Sequence, residues 1–344
     1  MRRAVIIYAL VLGGALVGAY RVWTAPGETE VGESVTVLAG SADELERVHY
    51  RSSKLDLSIE MRKDELGRYG WVRAEPQGTT ADEPEPDPAN PHAPPPAPKD
   101  DGTVQEFKAG KAGGAALEGL LPFKAKRVLE GVTDDKLVEL GLGEPEATLE
   151  IVRAGREPVT FEIGGNVYGG ANVYVRDPAS GKVYVVDAKV IRPLQSGKQS
   201  LPDKELVGVE TKLIAALTVQ GGEASAQFEQ HNPDDPEAVY WSTAGSAEKN
   251  ETAAAWIDKA LRMRSSGYVQ AGEQPASLEP MFAFAITTTD RKLVRVEVLR
   301  GYDEDGEEQW FAKSEHTRGL VKLQKALAGE VSTDLANVLD SGAS

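Results

Sequence analysis

The sequence predicts an α+β protein: an N-terminal transmembrane helix followed by two tandem related units, each an antiparallel hairpin and meander sheet with packed helices. Three observations predict it. An uncharged run follows two arginines at the start of the chain, period-two apolar stretches alternate with turn residues, and one order of elements occurs twice. The implied boundaries are an anchor over residues 1–23, a first β-rich part over 24–75, a proline-rich acidic linker or insertion over 76–102, the remainder of the first unit over 103–195, a second unit over 196–330 and a tail over 331–344.

The anchor rests on length. Met1, Arg2 and Arg3 precede the run Ala4 to Tyr20, and Arg21, Val22 and Trp23 follow it. At a helical rise of about 1.5 Å, residues 4–23 cover roughly 30 Å, the thickness of a bilayer core. Backbone groups in lipid must be satisfied internally, so the span is helical. Two arginines before it and one after favour a cytoplasmic N-terminus, which puts the rest of the chain outside the inner membrane. A cleaved signal peptide is the competing reading, although Gly18-Ala19-Tyr20 and Trp23-Thr24-Ala25 are poor cleavage sites. Gly14-x-x-x-Gly18 beside Ala15-x-x-x-Ala19 offers a face for a homodimer within the membrane.

Composition narrows the function classes. The 344 residues suffice for two medium domains, and 41% hydrophobic with 27% charged residues is the balance of a folded chain. A net charge of -16 argues against nucleic acid and against lying flat on anionic lipid. With no cysteine there are no disulfides, iron–sulfur clusters or thiol chemistry.

Along the chain, Thr24 to Glu33 reads as a tether and Val35 to Leu38 as a strand. Leu55 to Met61 alternates with period two, Asp64 to Gly67 turns, and Tyr69 to Val72 returns as a strand carrying Trp71. Pro76 to Gly102 is proline-rich, acidic and too poor in large apolar residues to fold, so it reads as a semi-stiff spacer or surface loop. Ala115 to Glu130 looks helical with a break at Pro122, and Asp134 to Leu140 forms a short helix with Leu137, Val138 and Leu140 inside. Strands follow at Ala147 to Arg153, Val159 to Ile163, Ala171 to Arg176 and Lys182 to Val186, with Gly164-Gly165 and Gly169-Gly170 as turns.

From Leu213 the order begins again. Strands at Leu213 to Gln220 and Ala224 to Gln230 precede Val239-Tyr240-Trp241, a polar loop Ser242 to Glu251 and the amphipathic helix Thr252 to Arg264. Met281 to Thr288, Lys292 to Leu299 and Gln309 to Ser314 then form a meander, and Gly319 to Leu327 a last helix. Hairpin, tryptophan, loop, helix and meander thus recur, which reads as duplication.

Several phrases carry a family likeness: Leu140-Gly-Leu-Gly-Glu-Pro-Glu-Ala-Thr-Leu149, Ile163-Gly164-Gly165 with Val173 to Arg176, Val183 to Val186, and Leu201-Pro202-Asp203-Lys204-Glu205-Leu206. In their order and spacing, residues from about 35 to about 325 resemble the bacterial domain-of-unknown-function 4340 family. The resemblance implies a single-span or lipid-anchored extracytoplasmic protein, often encoded beside ABC transporters of the gliding-motility type. It brings no reaction and no catalytic residues. The Pro76 to Gly102 insertion departs from plainer members.

No motif establishes chemistry, and no catalytic, cofactor-binding or metal-ligating residue is assigned. Gly164-Gly165-x-x-x-Gly169-Gly170 lacks the lysine and hydroxyl of a phosphate loop. Asp303 to Glu308 resembles half a calcium loop but reads better as a hairpin turn at Asp305-Gly306. His49, His92, His231 and His316 show no ligand spacing, and Ser246-x-x-Lys249 lacks its companion motifs. Trp71 and Trp241 read as core anchors ahead of a sugar-stacking pair. The expected function is therefore a non-enzymatic, membrane-anchored extracytoplasmic protein, with the bilayer as a partner through residues 4–23 and, as the resemblance implies, a transporter subunit as another. The alternative is an envelope hydrolase or ligand-binding protein with a carboxylate-lined groove between the units.

Overall fold

The structure, a computed structural model, describes residues 34–77, 102–275, 277–303 and 305–342. The expected span at residues 4–23, with its dimerisation face, lies outside them. Among the described residues no helix is long and apolar enough to cross a membrane.

Two large antiparallel sheets dominate. The first is built from β2 (Leu45–Ser52), β3 (Leu55–Asp64), β4 (Gly67–Pro76), β5 (Gln105–Lys108), β7 (Arg127–Leu129), β8 (Ala147–Arg153), β9 (Val159–Asn166), β10 (Asn172–Arg176) and β11 (Val183–Asp187). Its order is β5-β4-β3-β2-β8-β9-β10-β11-β7. A two-stranded sheet of β1 (Val35–Leu38) and β6 (Phe123–Ala125) lies apart from it. The second large sheet uses β12 (Ile214–Gly221), β13 (Ala224–His231), β14 (Tyr240–Thr243), β15 (Ser265–Tyr268), β16 (Leu278–Thr288), β17 (Leu293–Tyr302), β18 (Glu308–Ser314) and β19 (Val321–Leu323). Its order is β14-β13-β12-β16-β17-β18-β19-β15. Reading β12 to β14 for β2 to β4, β16 to β19 for β8 to β11 and β15 for β7, the two orders agree, and β5 has no counterpart strand.

The period-two pattern explains the faces. Val48, Leu57, Ile59, Val72, Leu149 and Ile151 point inward from the first sheet, and Leu217, Val219, Phe228, Phe284, Ile286 and Val296 from the second. On the first sheet α1 (Lys111–Leu120) packs against α3 (Ala188–Ser196), a helix capped by the Asp187 carboxylate at 3.0 Å from the Lys189 N–H. In the second half α4 (Glu251–Arg262) is capped by Asn250, whose side-chain oxygen accepts from the Ala253 N–H at 2.9 Å. Its Ala253, Trp256, Ile257 and Ala260 are buried on one face. One continuous apolar core contains residues of both sheets and, from the segment between them, Leu201, Leu206 and Val207.

Several expectations are corrected. The helix drawn through Ala115 to Glu130 ends at Leu120, and after Pro122 the chain runs as β6 and β7, because Phe123, Ala125 and Val128 alternate with charged residues that face out. Asp134 to Glu139 is a helix, α2, but Val138 lies 69% exposed on it. Gly164 and Gly165 are inside β9 and make no turn. Leu140 O approaches so closely there that a Cβ on Gly164 would stand 2.6 Å from it, and it accepts from the Gly165 N–H at 2.9 Å. Gly319 to Leu327 is strand β19 followed by the start of α5 (Lys325–Thr333), since Val321 and Leu323 alternate about Lys322. The tail over 331–344 holds α6 (Leu335–Gly342), whose Val338 is buried and which packs on β12 and β13.

Pro76 ends β4 and Gln105 begins β5, and these strands pair antiparallel with Ala74 opposite Gln105. Residues 78–101, the body of the expected linker or insertion, connect these neighbouring strands and lie outside the described residues.

Candidate functional site

The site that draws residues from the whole chain is the seam between the two sheets. Along β4 and β5, inward residues such as Val72 and Phe107 alternate with Tyr69, Trp71 and Lys108, which point from the opposite face. That face would be solvated on an isolated sheet, and here the second half of the chain covers it at Tyr69 and Trp71 while Arg73 stays exposed. The phrase Leu201 to Leu206 is the stitching. Gly110 N–H donates to Leu201 O at 2.7 Å and Asp203 N–H to Lys108 O at 2.9 Å, while on the other side Ser265 N–H donates to Lys204 O at 2.9 Å. The loop thereby fastens β5 of the first sheet to β15 of the second.

Three ionisable side chains meet inside this seam. Lys108 Nζ donates to Asp203 Oδ2 and lies 3.0 Å from His316 Nε2, which is 2.9 Å from the same carboxylate oxygen. Asp203 Oδ1 accepts from the Glu205 N–H at 3.0 Å. Lys108 and Asp203 are both buried. Burial works against the Asp203 charge, yet the hydrogen bonds from His316 and Lys108 and the charge of Lys108 outweigh it, holding its carboxyl well below the usual range. Desolvation pulls the Lys108 ammonium down, opposed by Asp203. Burial, with the Asp203 charge beside it, pushes the Tyr268 phenol up.

A tight turn after β18 aims His316. Ser314 Oγ donates to Leu206 O at 2.6 Å and Thr317 Oγ1 to Gly319 O at 2.8 Å, both residues being buried. The imidazole lies so near Gly208, φ +61, that a Cβ there would stand 1.8 Å from its Cε1, and only glycine fits. From the same turn Arg318 reaches Asp64 at 2.6 and 2.9 Å, and its guanidinium stands 3.8 Å over the Tyr69 ring. The Arg318 hydrogen bond is the main cause of the lowered Asp64 carboxyl. Aromatic rings fill the rest: Trp71 and Tyr268 meet edge-on at 6.4 Å, and Phe107 lies 6.2 Å from Tyr268. At its rim, Gln270 Oε1 accepts from the Glu106 N–H at 2.8 Å.

Chemically the cluster resembles an acid–base set, but a catalytic group must touch its substrate. The hollows on either side are lined by neighbours such as Phe107, Lys204 and Tyr268 on one flank and Glu205, Gly208 and Arg264 on the other, and by none of the three groups. The arrangement suits a fastening.

A second charged region lies on the outer face of the first sheet, a dish of about 420 Å³ lined by Arg47, His49, Arg51, Asp56, Ser58, Glu60, Arg73 and Glu75. It neutralises itself. His49 Nε2 and Arg51 Nε lie 2.6 and 2.9 Å from Asp56, Arg47 pairs with Glu150 at 3.3 Å, and Arg73 with Glu75 at 3.7 Å.

The motifs weighed in the sequence disperse. His316 enters the seam, His49 the dish, and His231 stacks on Tyr240 at 4.7 Å, while His92 lies outside the described residues. No three His, Cys, Asp or Glu side chains gather as metal ligands among the described residues. Ser246 Oγ accepts from the Glu248 N–H at 3.1 Å, and Lys249 stands 5.4 Å over Tyr240. Asp303 accepts from the Glu307 and Asp305 N–H groups at 2.7 and 3.1 Å, the pattern of a hairpin turn with its oxygens in use. Trp241 is a core residue as expected, but Trp71 stands one position out of step, beside the inward Gly70, and so faces the seam. Sequence reasoning missed Lys108 and Arg318, weighed His316 only as a metal ligand, and gave Asp203 no chemical role. Only Asp203 carried a signal, as part of the Leu201 to Leu206 phrase.

Comparison with known proteins adds one finding. No curated relative and no solved structure matches the chain. A family model described as a domain of unknown function (DUF4340) matches residues 111–280, from the start of α1 into β16 and across the stitching loop. Over that span the chain belongs to the DUF4340 family.

Proposed function

We propose that this is a non-enzymatic, membrane-anchored extracytoplasmic protein, an accessory subunit of an ABC-type transporter or a related envelope machine. The observation that supports it is the filled seam. Buried aromatics and an ion cluster occupy the junction of the two sheets, where an enzyme of this architecture would keep an open cleft. The shared strand order supports reading residues 24–195 and 196–330 as two copies of one unit, the first enlarged by its insertion. Fastened together, they make a rigid body suited to holding a partner. Residues 4–23 supply a single inner-membrane span, with the described part outside.

The rival reading, an envelope hydrolase or ligand-binding protein with a carboxylate-lined groove, gains nothing from the hollow beside the seam, where Lys198, Lys204 and Lys322 face Glu273. Crosslinking followed by mild solubilisation of native membranes tests the proposal. Transporter subunits should copurify, and a clean monomer would overturn it. Fractionation tests the anchor, since a product released into the soluble extract would show the span to be a removed signal.

A further inference from the structure

We propose that the corner where α2 meets the β9–β10 turn is a docking surface for a cationic, amphipathic segment of a partner chain, a reading that rests on the partner-holding role and names the chemistry of the partner. α2 lies on the outer face of the first sheet, at the opposite end from the dish. Tyr174 and Val183 point to that face, since Val173, Val175, Tyr184 and Val186 beside them belong to the main core. With Leu140 and Leu142, just past α2, they make a small apolar cluster of their own, on which Leu137 packs. Leu140 O accepts from the Gly165 N–H at 2.9 Å, which fastens the end of α2 to β9. Tyr168 stands three residues further on, in the turn between β9 and β10.

Seated in this way, α2 turns Val138 outward, and Tyr168 is fully exposed in the turn. A single apolar side chain in water needs no explanation, but here two stand on elements that are fastened to each other. The surroundings are acidic. Asp134, Asp135 and Glu144 are exposed and have no ion-pair partner among the described residues, and the one base on α2, Lys136, is held by Glu139. Glu144 belongs to the same spot as Val138, because a Cβ on its neighbour Gly143 would stand 2.8 Å from the valine Cγ2. In the dish, by contrast, every lining carboxylate has a cation beside it. An apolar spot rimmed by free carboxylates is complementary to a segment carrying lysine or arginine beside aliphatic side chains. The same carboxylates repel anionic lipid and a second copy of a chain of net charge -16.

A fluorescein-labelled amphipathic peptide of leucine and lysine is the probe, titrated into the full chain at low and high salt. It should bind, weaken as salt rises and lose on the order of tenfold in affinity in Val138→Ser/Tyr168→Ser, about 1.4 kcal/mol. Both side chains are exposed, so the melting temperature of that variant should not move. Asp135→Lys/Glu144→Lys should lose as much. Glu223→Lys/Glu237→Lys, the same charge change at exposed positions of the second half, should bind as the parent does. Undiminished binding by Val138→Ser/Tyr168→Ser, or an equal loss in the second-half variant, would mean that net charge alone attracts the peptide and would overturn the proposal. Self-association of the chain that Val138→Ser/Tyr168→Ser abolishes would name a second copy as the occupant and likewise overturn it. Repeating the copurification with the same variant separates the two proposals. A transporter subunit that stays bound refutes the corner and leaves the accessory role intact, whereas peptide binding without any membrane partner does the reverse.

Discussion

The seam and the dish contain the same kinds of side chain and differ in what surrounds them. In the dish, Arg51 meets Asp56 at 2.9 Å with the arginine side chain 63% exposed. In the seam, Lys108 and Asp203 meet with side chains only 9% and 10% exposed, and His316 shares the same oxygen. Water screens the first pair and leaves it worth little, but the second pair has lost its water and must be satisfied by its partners alone. Burial, more than the number of charges, decides which cluster the fold depends on.

The sharpest test of that comparison removes one seam partner. Lys108→Met leaves the Asp203 charge buried with a single side-chain partner and should cost about 3–5 kcal/mol in urea unfolding. A loss under about 1 kcal/mol would place the seam in the same class as the dish. Acid gives a graded version. Because the Asp203 carboxyl is held below its ordinary 3.8, the unfolded chain takes up that proton first as the pH falls. The stability linked to Asp203 is thus complete above the ordinary value and lost as the pH drops toward the depressed one. Asp203→Asn should remove that portion of the acid sensitivity, and unfolding midpoints at about pH 6 and about pH 3 would reveal identical slopes if it does not.

Trp71→Ala tests the apolar part of the seam. The loss of its edge-on contact with Tyr268 and of its half-buried surface should cost about 1–3 kcal/mol, again by urea unfolding. The smallest effect belongs to the dish, where Arg51→Ala should change stability by less than about 0.5 kcal/mol. A larger change would mean that the exposed ladder acts as a cooperative network.

Much of this architecture was legible. Period-two runs such as Leu55 to Met61 and Leu213 to Gln220 appear as β3 and β12, and the Asn250-capped helix appears as α4 within two residues of its expected bounds. The failures were short apolar pieces. Val128-Leu129 and Val321 to Leu323 are too brief for periodicity to separate strand from helix, and the sheets decide by pairing them with Tyr184 and Ala312. Trp71 and Trp241 occupy similar phrases, yet a register offset of one residue sends them to opposite faces. The seam was least legible. Lys108 and His316 stand 208 residues apart, and each alone reads as an ordinary strand lysine or turn histidine. Nothing local in a sequence announces that two halves of a chain will exclude water from the same three side chains.

The β4–β5 hairpin also has a practical meaning. Because the strands flanking residues 78–101 are held in register by each other, the chain between Gln77 and Gly102 is an interruptible place. A small reporter domain with neighbouring ends can be spliced there in place of the native stretch, next to the strand that carries Lys108. In a chain without cysteine, one cysteine introduced on the reporter and one on the exposed surface of the second sheet would be the only thiols to label. The distance between two dyes would then read out, in intact membranes, whether the halves ever part.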